Sequence, residues 1–194
     1  MAAAIAVGTA GLAGCTGSGE PDEGSASRGV TTAPVTAGAV PNPRPSSTGP
    51  TAPARPAEID QMTPAGAAAA ARYFIELYGY VLQTGDLTEW DAMSFPTCRY
   101  CVETRRYITS AHSSGETFTG SVISTEVVNI HELNELVGGY PVDLRVTQGP
   151  TTHLDASGST IESGDTWTEV MRFETVFDGE SWTILDAAVL DGVS

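Results

Sequence analysis

The chain has 194 residues, which is room for one folded domain and an additional segment. Its 24 acidic residues against 9 basic residues, all of them arginine, give a formal net charge of −15. Because phosphate binding needs clustered basic residues, this balance argues against a nucleic-acid partner and against charge-driven attachment to anionic lipid. The acidity itself requires no partner, since a high net charge keeps a protein soluble.

Residues 1–14, MAAAIAVGTAGLAG, are small and apolar, and the chain turns polar after Cys15. The stretch is too short to span a bilayer, which takes about 20 residues, but it fits the apolar core of a secretory signal. Since no basic residue precedes Arg28, we interpret residues 1–14 as a signal peptide that is truncated or partial. The alternative is an Ala/Gly-rich tail that holds an incidental cysteine.

The four residues Leu12-Ala13-Gly14-Cys15 resemble a bacterial lipobox. In signals of that kind the cysteine receives a diacylglycerol, the peptide is cut before it, and acyl chains such as palmitate hold the protein on the membrane. The resemblance implies lipidation at Cys15 and an exported protein anchored to the outer face of the cytoplasmic membrane. Two or more acyl chains give stable attachment, whereas a single chain binds only marginally.

Residues 15–57 are predicted to form a disordered tether, because they are almost entirely Gly, Ser, Thr, Pro and Ala. Such a segment cannot bury enough apolar surface to offset the entropy of ordering it. Three acids and three arginines cancel over residues 1–57, so the other 21 acids and 6 arginines carry the whole charge of −15. The composition therefore divides the chain near residue 57.

Residues 58–194 form the predicted folded domain, which begins with a long helix in TPAGAAAAARYFIELYGYVLQTGD. Thr63 can cap this helix, and Pro64 suits its first turn. Apolar residues recur at helical spacing from Tyr73 to Leu82, and Gly85 favours a left-handed stop.

Two shorter helices are predicted next. In DLTEWDAMS, Asp86 and Glu89 are spaced like a capping box, and Trp90 lies on the apolar face. Pro96 interrupts the chain, and Thr97 is placed to start a third helix through CRYCVETRRYITSAH. A Ser-Ser-Gly turn then ends the helical part of the domain.

The remaining sequence has a period of two, which is typical of strands. GSVISTEVVNI is rich in β-branched residues, and YPVDLRVTQ alternates between apolar and polar positions. A short run near His153 either extends that strand or adds another. WTEVMRFETVF and SWTILDAAVL flank Asp178-Gly179, a strong hairpin signal. Helices followed by consecutive antiparallel strands predict an α+β fold, with helices covering one face of a curved sheet.

This order of elements resembles the nuclear-transport-factor-2-like cone. More narrowly, AAAAARYFIELYGYVLQTGDLTEWDAMSFPTCRYC is similar to a family of actinobacterial lipoproteins labelled domain of unknown function 6318. The motif that carries the resemblance comprises Thr84-Gly85-Asp86, Trp90, Ser94, Cys98 and Cys101. That family has no assigned activity, so the resemblance implies a location and a fold but no reaction.

Cys98 and Cys101 form a Cys-x-x-Cys motif that has three interpretations. A thioredoxin-like redox motif needs a strand before it, whereas this one follows helices. A zinc site needs four ligands, and the histidines here match no familiar zinc-finger spacing. With Cys15 lipidated, two cysteines remain in an exported protein, which favours a structural disulfide between them.

Three side chains are candidates for a ligand pocket in the open end of such a cone: Trp90, Arg145 and Arg172. A strand arginine can bind an anionic ligand with two hydrogen bonds. Pairing with a cross-strand acid such as Asp143 or Glu169 is the more common arrangement, and we favour it here.

An acid–base pair inside the cone would need His131 and Asp143, or His153 and Asp155, to share one face. Turn residues around His153 favour an exposed loop for that histidine. No serine nucleophile elbow, phosphate loop or metalloprotease motif occurs, so no catalytic residue, metal or cofactor is predicted.

Together these features predict an extracytoplasmic, membrane-anchored lipoprotein. Its domain is expected to be a non-enzymatic binding or interaction module, with an envelope partner or a small ligand that the sequence does not identify. The sequence also leaves the oligomeric state open. The competing hypotheses are a small cone-fold hydrolase or isomerase, and a thiol oxidoreductase that uses Cys98 and Cys101.

Overall fold

A computed structural model describes residues 49–192 of the chain. A 3₁₀ turn at Ala57–Asp60 precedes three helices, α1 (Pro64–Thr84), α2 (Thr88–Met93) and α3 (Arg99–Ser113). Seven strands follow: β1 (Thr117–Gly120), β2 (Ile123–Ile130), β3 (Pro141–Gln148), β4 (Thr151–Leu154), β5 (Thr160–Gly164), β6 (Trp167–Phe177) and β7 (Trp182–Val189). The predicted α+β class is confirmed, with helices first and antiparallel strands after them.

The first helix has the predicted bounds. The Thr63 hydroxyl accepts a hydrogen bond from the Gly66 amide at 3.0 Å, and Gly85 ends the helix with φ of 72°. The apolar face of α1 is fully buried at Phe74, Leu77 and Val81. Helix α1 therefore supplies one side of the hydrophobic core.

The ends of the two shorter helices differ from the prediction. The Asp86 carboxylate accepts hydrogen bonds from the amide and the hydroxyl of Thr88, two residues later, whereas a capping box needs a bond from the Glu89 amide; Leu87 is the N-cap. Glu89 instead approaches Arg55 at 4.0 Å. Helix α3 starts at Arg99 with Cys98 as its N-cap, because the disulfide sulfur of Cys98 accepts from the Cys101 amide.

The strands form two antiparallel sheets rather than the single sheet that was predicted. One has the order β2-β3-β6-β7, and the other has the order β1-β4-β5. The sequence pattern predicted neither β1 nor β5, while the run near His153 forms the separate strand β4. The hairpin between β6 and β7 is confirmed, since the Asp178 carboxylate accepts from the Glu180 and Ser181 amides.

The short connection between β1 and β2 packs against α1. Gly79 on α1 lies against the carbonyl of Ser121, and a Cβ at position 79 would collide with that oxygen. Ser121 is fully buried and has a φ of 59°, which a non-glycine residue rarely adopts. The absence of a side chain at Gly79 therefore lets the β1–β2 connection approach the helix.

The last residues of the predicted tether contact the domain. Pro50 and Pro53 lie in a shallow groove beside Gly79 and Tyr80 of α1. The Arg55 guanidinium approaches the Asp60 carboxylate at 3.3 Å. Ordered contacts therefore begin before residue 58. Within residues 49–192, no helix combines the length and apolar character needed to cross a bilayer.

Candidate functional site

A half-open cavity of about 230 Å³ lies between the helices and the two sheets. The wall comes from α1 and α3 on one side and from strands of both sheets on the other. Its side chains are mostly aromatic or polar: Tyr78, Leu82, Tyr107, Phe118, Gln148, Thr151, His153, Glu162, Asp165 and Trp167, with Gly164 completing the wall. Concave sites of this kind are where proteins bind small molecules.

A second chamber of about 350 Å³ adjoins the first and shares Tyr78, Gln148 and Trp167 with it. Its other side chains are largely apolar and include Ile75 and Met171. The two chambers together give a polar, acidic site beside a more apolar one.

His153 lies at the wall of the first chamber, in strand β4. The prediction of an exposed loop is therefore wrong, because β4 pairs with β1 on one side and β5 on the other. Its Nε2 lies 2.8 Å from the Glu116 carboxylate, and its ring stacks on Phe118 with centroids 4.2 Å apart. The His153 side chain is 12% exposed, so the ring is held in place by these two neighbours.

The predicted pairing of His153 with Asp155 does not form. Asp155 instead accepts hydrogen bonds from Ser157 and Ser159 in the turn that joins β4 to β5. These bonds to the charged carboxylate hold the pKa of Asp155 below its usual value. Glu116, which the sequence did not single out, takes the place of the orienting acid.

The tyrosines around the cavity have raised pKa values. Burial raises the pKa of Tyr78, and burial together with the negative charges of Glu162 and Glu116 raises that of Tyr107. Tyr100, in the wall of the second chamber, has its pKa raised chiefly by burial. All three hydroxyls are therefore protonated at neutral pH and can donate hydrogen bonds.

His131 and Asp143 do pair, but on the outer face of the four-stranded sheet. His131 Nε2 lies 2.8 Å from Asp143 Oδ2. Arg172 donates to both oxygens of the same carboxylate, from Nε at 2.7 Å and from Nη2 at 2.9 Å. Hydrogen bonds from Arg172 and then His131 lower the pKa of Asp143, although partial burial opposes them. None of the three residues lines either chamber.

The three residues proposed from the sequence as a ligand pocket are not brought together at either chamber. Trp90 is fully buried, stacks on Phe74 at 4.1 Å, and donates from Nε1 to the Cys101 carbonyl at 3.2 Å. Arg145 pairs with Glu126 across the β2–β3 ladder at 3.0 Å. Arg172 pairs with Asp143, as expected for a strand arginine. In the structure, Trp90 is core and the two arginines have acid partners.

Cys98 and Cys101 form a disulfide. The two residues are 0% and 1% exposed, beneath the Trp90 ring that hydrogen bonds to Cys101. Thiol exchange requires a thiolate to reach a disulfide sulfur, so this burial favours a structural role over a redox role. Cys15, the predicted lipidation site, lies outside the described residues.

Sequence reasoning missed Tyr107, Phe118, Glu162 and Asp165 as cavity residues. The pattern did contain one signal: Tyr100, Thr104 and Tyr107 recur at helical spacing on α3 and all face the two chambers. Within residues 49–192, no three or more His, Cys, Asp or Glu side chains are grouped to hold a metal ion.

Residues 47–188 match the model of a family of unknown function, DUF6318. The chain belongs to that family. The match includes the motif residues from Thr84 to Cys101 and begins upstream of residue 58. No curated protein matches this DUF6318 chain at a significant level.

Several solved structures are similar to this DUF6318 chain. The intermembrane space region of the chloroplast protein ARC6 superposes with a TM-score of 0.55 and 11% identity, covering 67% of this chain and 98% of that one. This likeness shows a shared fold. A cystatin-like protein from Caulobacter vibrioides (TM-score 0.36, 9% identity, 66% and 92% covered) also matches. So does a nuclear-transport-factor-2-like protein from Anabaena variabilis (TM-score 0.32, 13% identity, 66% and 90% covered).

Proposed function

We propose that this protein is an exported lipoprotein, held on the outer face of the cytoplasmic membrane through Cys15. In this proposal, the domain beyond the tether is a non-enzymatic module that binds a small molecule in its cavity. The observation that carries the binding role is the half-open, aromatic-lined cavity between α1, α3 and the two sheets. Trp167 and Tyr107 remain 37% and 46% exposed at that cavity, so they offer contact area that the core does not use.

Two further features support export. The lipobox-like Leu12-Ala13-Gly14-Cys15 provides an acceptor cysteine, and the Pro-rich segment after it provides a spacer. The Cys98–Cys101 disulfide is typical of proteins that fold in an oxidising compartment.

Membrane fractionation of cells that express the full chain tests the anchor. Cys15→Ala is expected to move the protein from the membrane fraction to the soluble fraction. Cys98→Ala combined with Cys101→Ala is the matched control, because it removes two cysteines but leaves the lipidation site. Unchanged membrane retention of Cys15→Ala would overturn the anchor.

Binding without turnover is tested on purified full chain carrying Cys15→Ala. Native mass spectrometry after incubation with a cell-envelope extract is expected to show one bound small molecule, released unchanged on denaturation. Trp167→Leu, which removes a cavity wall, is expected to reduce the bound fraction. Phe95→Leu is the control, since Phe95 is 40% exposed and lines neither chamber.

A small cone-fold hydrolase or isomerase is the second candidate. The observation that favours it is His153, which lines the cavity and is oriented by Glu116 at 2.8 Å, as a general base would be. Chemical change of the captured molecule, lost in His153→Gln while the molecule still binds, would identify the protein as an enzyme. Recovery of the unchanged molecule from both proteins would support the binding module.

A further inference from the structure

The rim of the cavity combines aromatic surface with incomplete burial. Trp167 begins β6 and is 37% exposed, while Tyr107 on α3 is 46% exposed. Phe118 and Tyr78 extend this aromatic wall inward. The faces of aromatic rings attract cations, most strongly for tryptophan. A ring left partly exposed at an opening can present such a face to a ligand.

The charge around this opening is negative. Glu162 and Asp165 line the same chamber as Trp167, and neither chamber is lined by any of the arginines in residues 49–192. Burial and the charges of Glu162 and Glu116 also raise the pKa of Tyr107. An anionic ligand would therefore meet two carboxylates and no arginine.

Glu116 already has a hydrogen-bond partner, His153. The 2.8 Å contact between His153 Nε2 and the Glu116 carboxylate commits that acid to holding the imidazole. Glu162 and Asp165 have no side-chain hydrogen bond or ion pair among the contacts of the described residues, so their charges remain available to a ligand.

The second chamber indicates that the rest of the ligand is apolar. Its wall contains Ile75, Val146 and Met171, and it joins the first chamber at Tyr78, Gln148 and Trp167. A molecule that occupies both chambers would lie along the Trp167 ring, which lines both of them. Removing an apolar group from water there favours binding.

We propose that the cavity binds a small organic cation, with a substituted ammonium group at Trp167 and Tyr107 and an apolar tail in the second chamber. Glu162 and Asp165 balance the ligand's charge. This inference rests on the proposed small-molecule-binding function and adds the chemical class of the ligand.

Three probes that each contain a six-carbon chain test the inference. The full chain carrying Cys15→Ala is titrated by calorimetry with hexyltrimethylammonium, 1-hexanol and hexanoate. The ammonium compound is expected to bind about tenfold more tightly than the neutral alcohol, which corresponds to a cation–π and charge contribution of about 1.4 kcal/mol. Hexanoate is expected to bind least.

Substitutions test whether the preference for a cation comes from the cavity residues. Trp167→Leu is expected to weaken the binding of hexyltrimethylammonium about tenfold, whereas Phe95→Leu should leave its affinity unchanged. Glu162→Gln combined with Asp165→Asn is expected to weaken the binding of the ammonium compound several-fold and to leave the affinity for 1-hexanol unchanged. The control is Glu132→Gln with Glu135→Gln, which removes two exposed acids from the β2–β3 loop. Thermal unfolding of each variant verifies that it is folded, and Tyr107→Leu replaces Trp167→Leu if the latter unfolds.

The outcomes separate the two proposals. If 1-hexanol or hexanoate binds as tightly as the ammonium compound, the cavity binds ligands without cation preference, and only this inference fails. If the Glu132/Glu135 control weakens binding as much as the cavity pair, the preference comes from the general acidity of the surface, and the inference also fails. If no probe binds at millimolar concentration, this inference fails, while a small molecule captured from the envelope extract would still support the proposed binding site; failure of both experiments overturns both proposals.

Discussion

Two histidine–carboxylate pairs occupy different faces of this protein. His131 and Asp143 lie on the outer face of the four-stranded sheet, and His153 and Glu116 lie at the cavity. The nitrogen–oxygen distance is 2.8 Å in both pairs. The pair geometry alone therefore does not distinguish a structural pair from a functional one.

The surroundings of the pairs do distinguish them. Arg172 donates to both oxygens of Asp143, which closes the outer pair into a network and leaves Asp143 only 6% exposed. The inner pair has no arginine partner among the contacts of residues 49–192, and the His153 ring lies between Phe118, at 4.2 Å, and Tyr107, at 6.4 Å, in the wall of the first chamber. The outer pair should therefore contribute chiefly to stability, and the inner pair chiefly to binding.

The largest expected effect comes from removing the cation of the outer network. Arg172→Ala leaves a buried carboxylate with only His131 as partner, so we expect a loss of about 2 kcal/mol in the free energy of unfolding, measured in urea. Arg145→Ala is the matched control, because its pair with Glu126 is exposed and should cost under about 0.5 kcal/mol. Equal losses from the two variants would contradict a special role for the outer network.

A smaller effect is expected from Asp143→Asn, and it should depend on pH. The pKa of Asp143 is lowered from 3.8 in the folded protein, so its charged form stabilises the fold at pH values above 3.8. This contribution is lost as the pH falls through the lowered pKa. The unsubstituted protein should therefore be more stable than Asp143→Asn by about 1 kcal/mol at pH 6. The two free energies of unfolding should converge as the solution is acidified. A difference that does not depend on pH would contradict this assignment.

The smallest effect on stability is expected at His131. His131→Gln should cost about 0.5 kcal/mol, because its side chain is 33% exposed and Arg172 still holds Asp143. It should leave the affinity for hexyltrimethylammonium unchanged. His153→Gln should alter that affinity, since His153 lines the chamber. Calorimetry on both variants compares the faces directly, and the same change in affinity for both would remove the distinction between them.

Local patterns predicted the elements whose signals lie within a few residues. Thr63, Pro64 and Gly85 bound α1 as predicted, and Asp178-Gly179 forms the hairpin turn. The strand β3 alternates as predicted at Val142, Leu144 and Val146, all fully buried. The exception is Asp143, which was expected on the polar face and is buried there by Arg172 from the neighbouring strand, a long-range contact.

The elements that local patterns missed are those made by distant pairing. All five residues of β5 are exposed, so it carries no apolar period and exists through its hydrogen bonds to β4. His153 became a strand residue for the same reason. The cavity itself depends on how far α3 stands from the sheets, which no spacing in the sequence records. Trp90 shows the opposite error, because it was a candidate for the ligand pocket and its ring instead fills the core.

Within residues 117–189 the chain passes between the two sheets at three short connections, residues 121–122, 149–150 and 165–166. The first two connections bond to each other, from the Ser121 amide to the Pro150 carbonyl at 2.9 Å and from the Gly149 amide to the Val122 carbonyl at 2.8 Å. A ligand that touches both Phe118 and Trp167 would bridge the two sheets across this seam. Its binding free energy would then also stabilise the contact between the two sheets. Amide hydrogen exchange along the seam would therefore slow as the ligand fills the cavity.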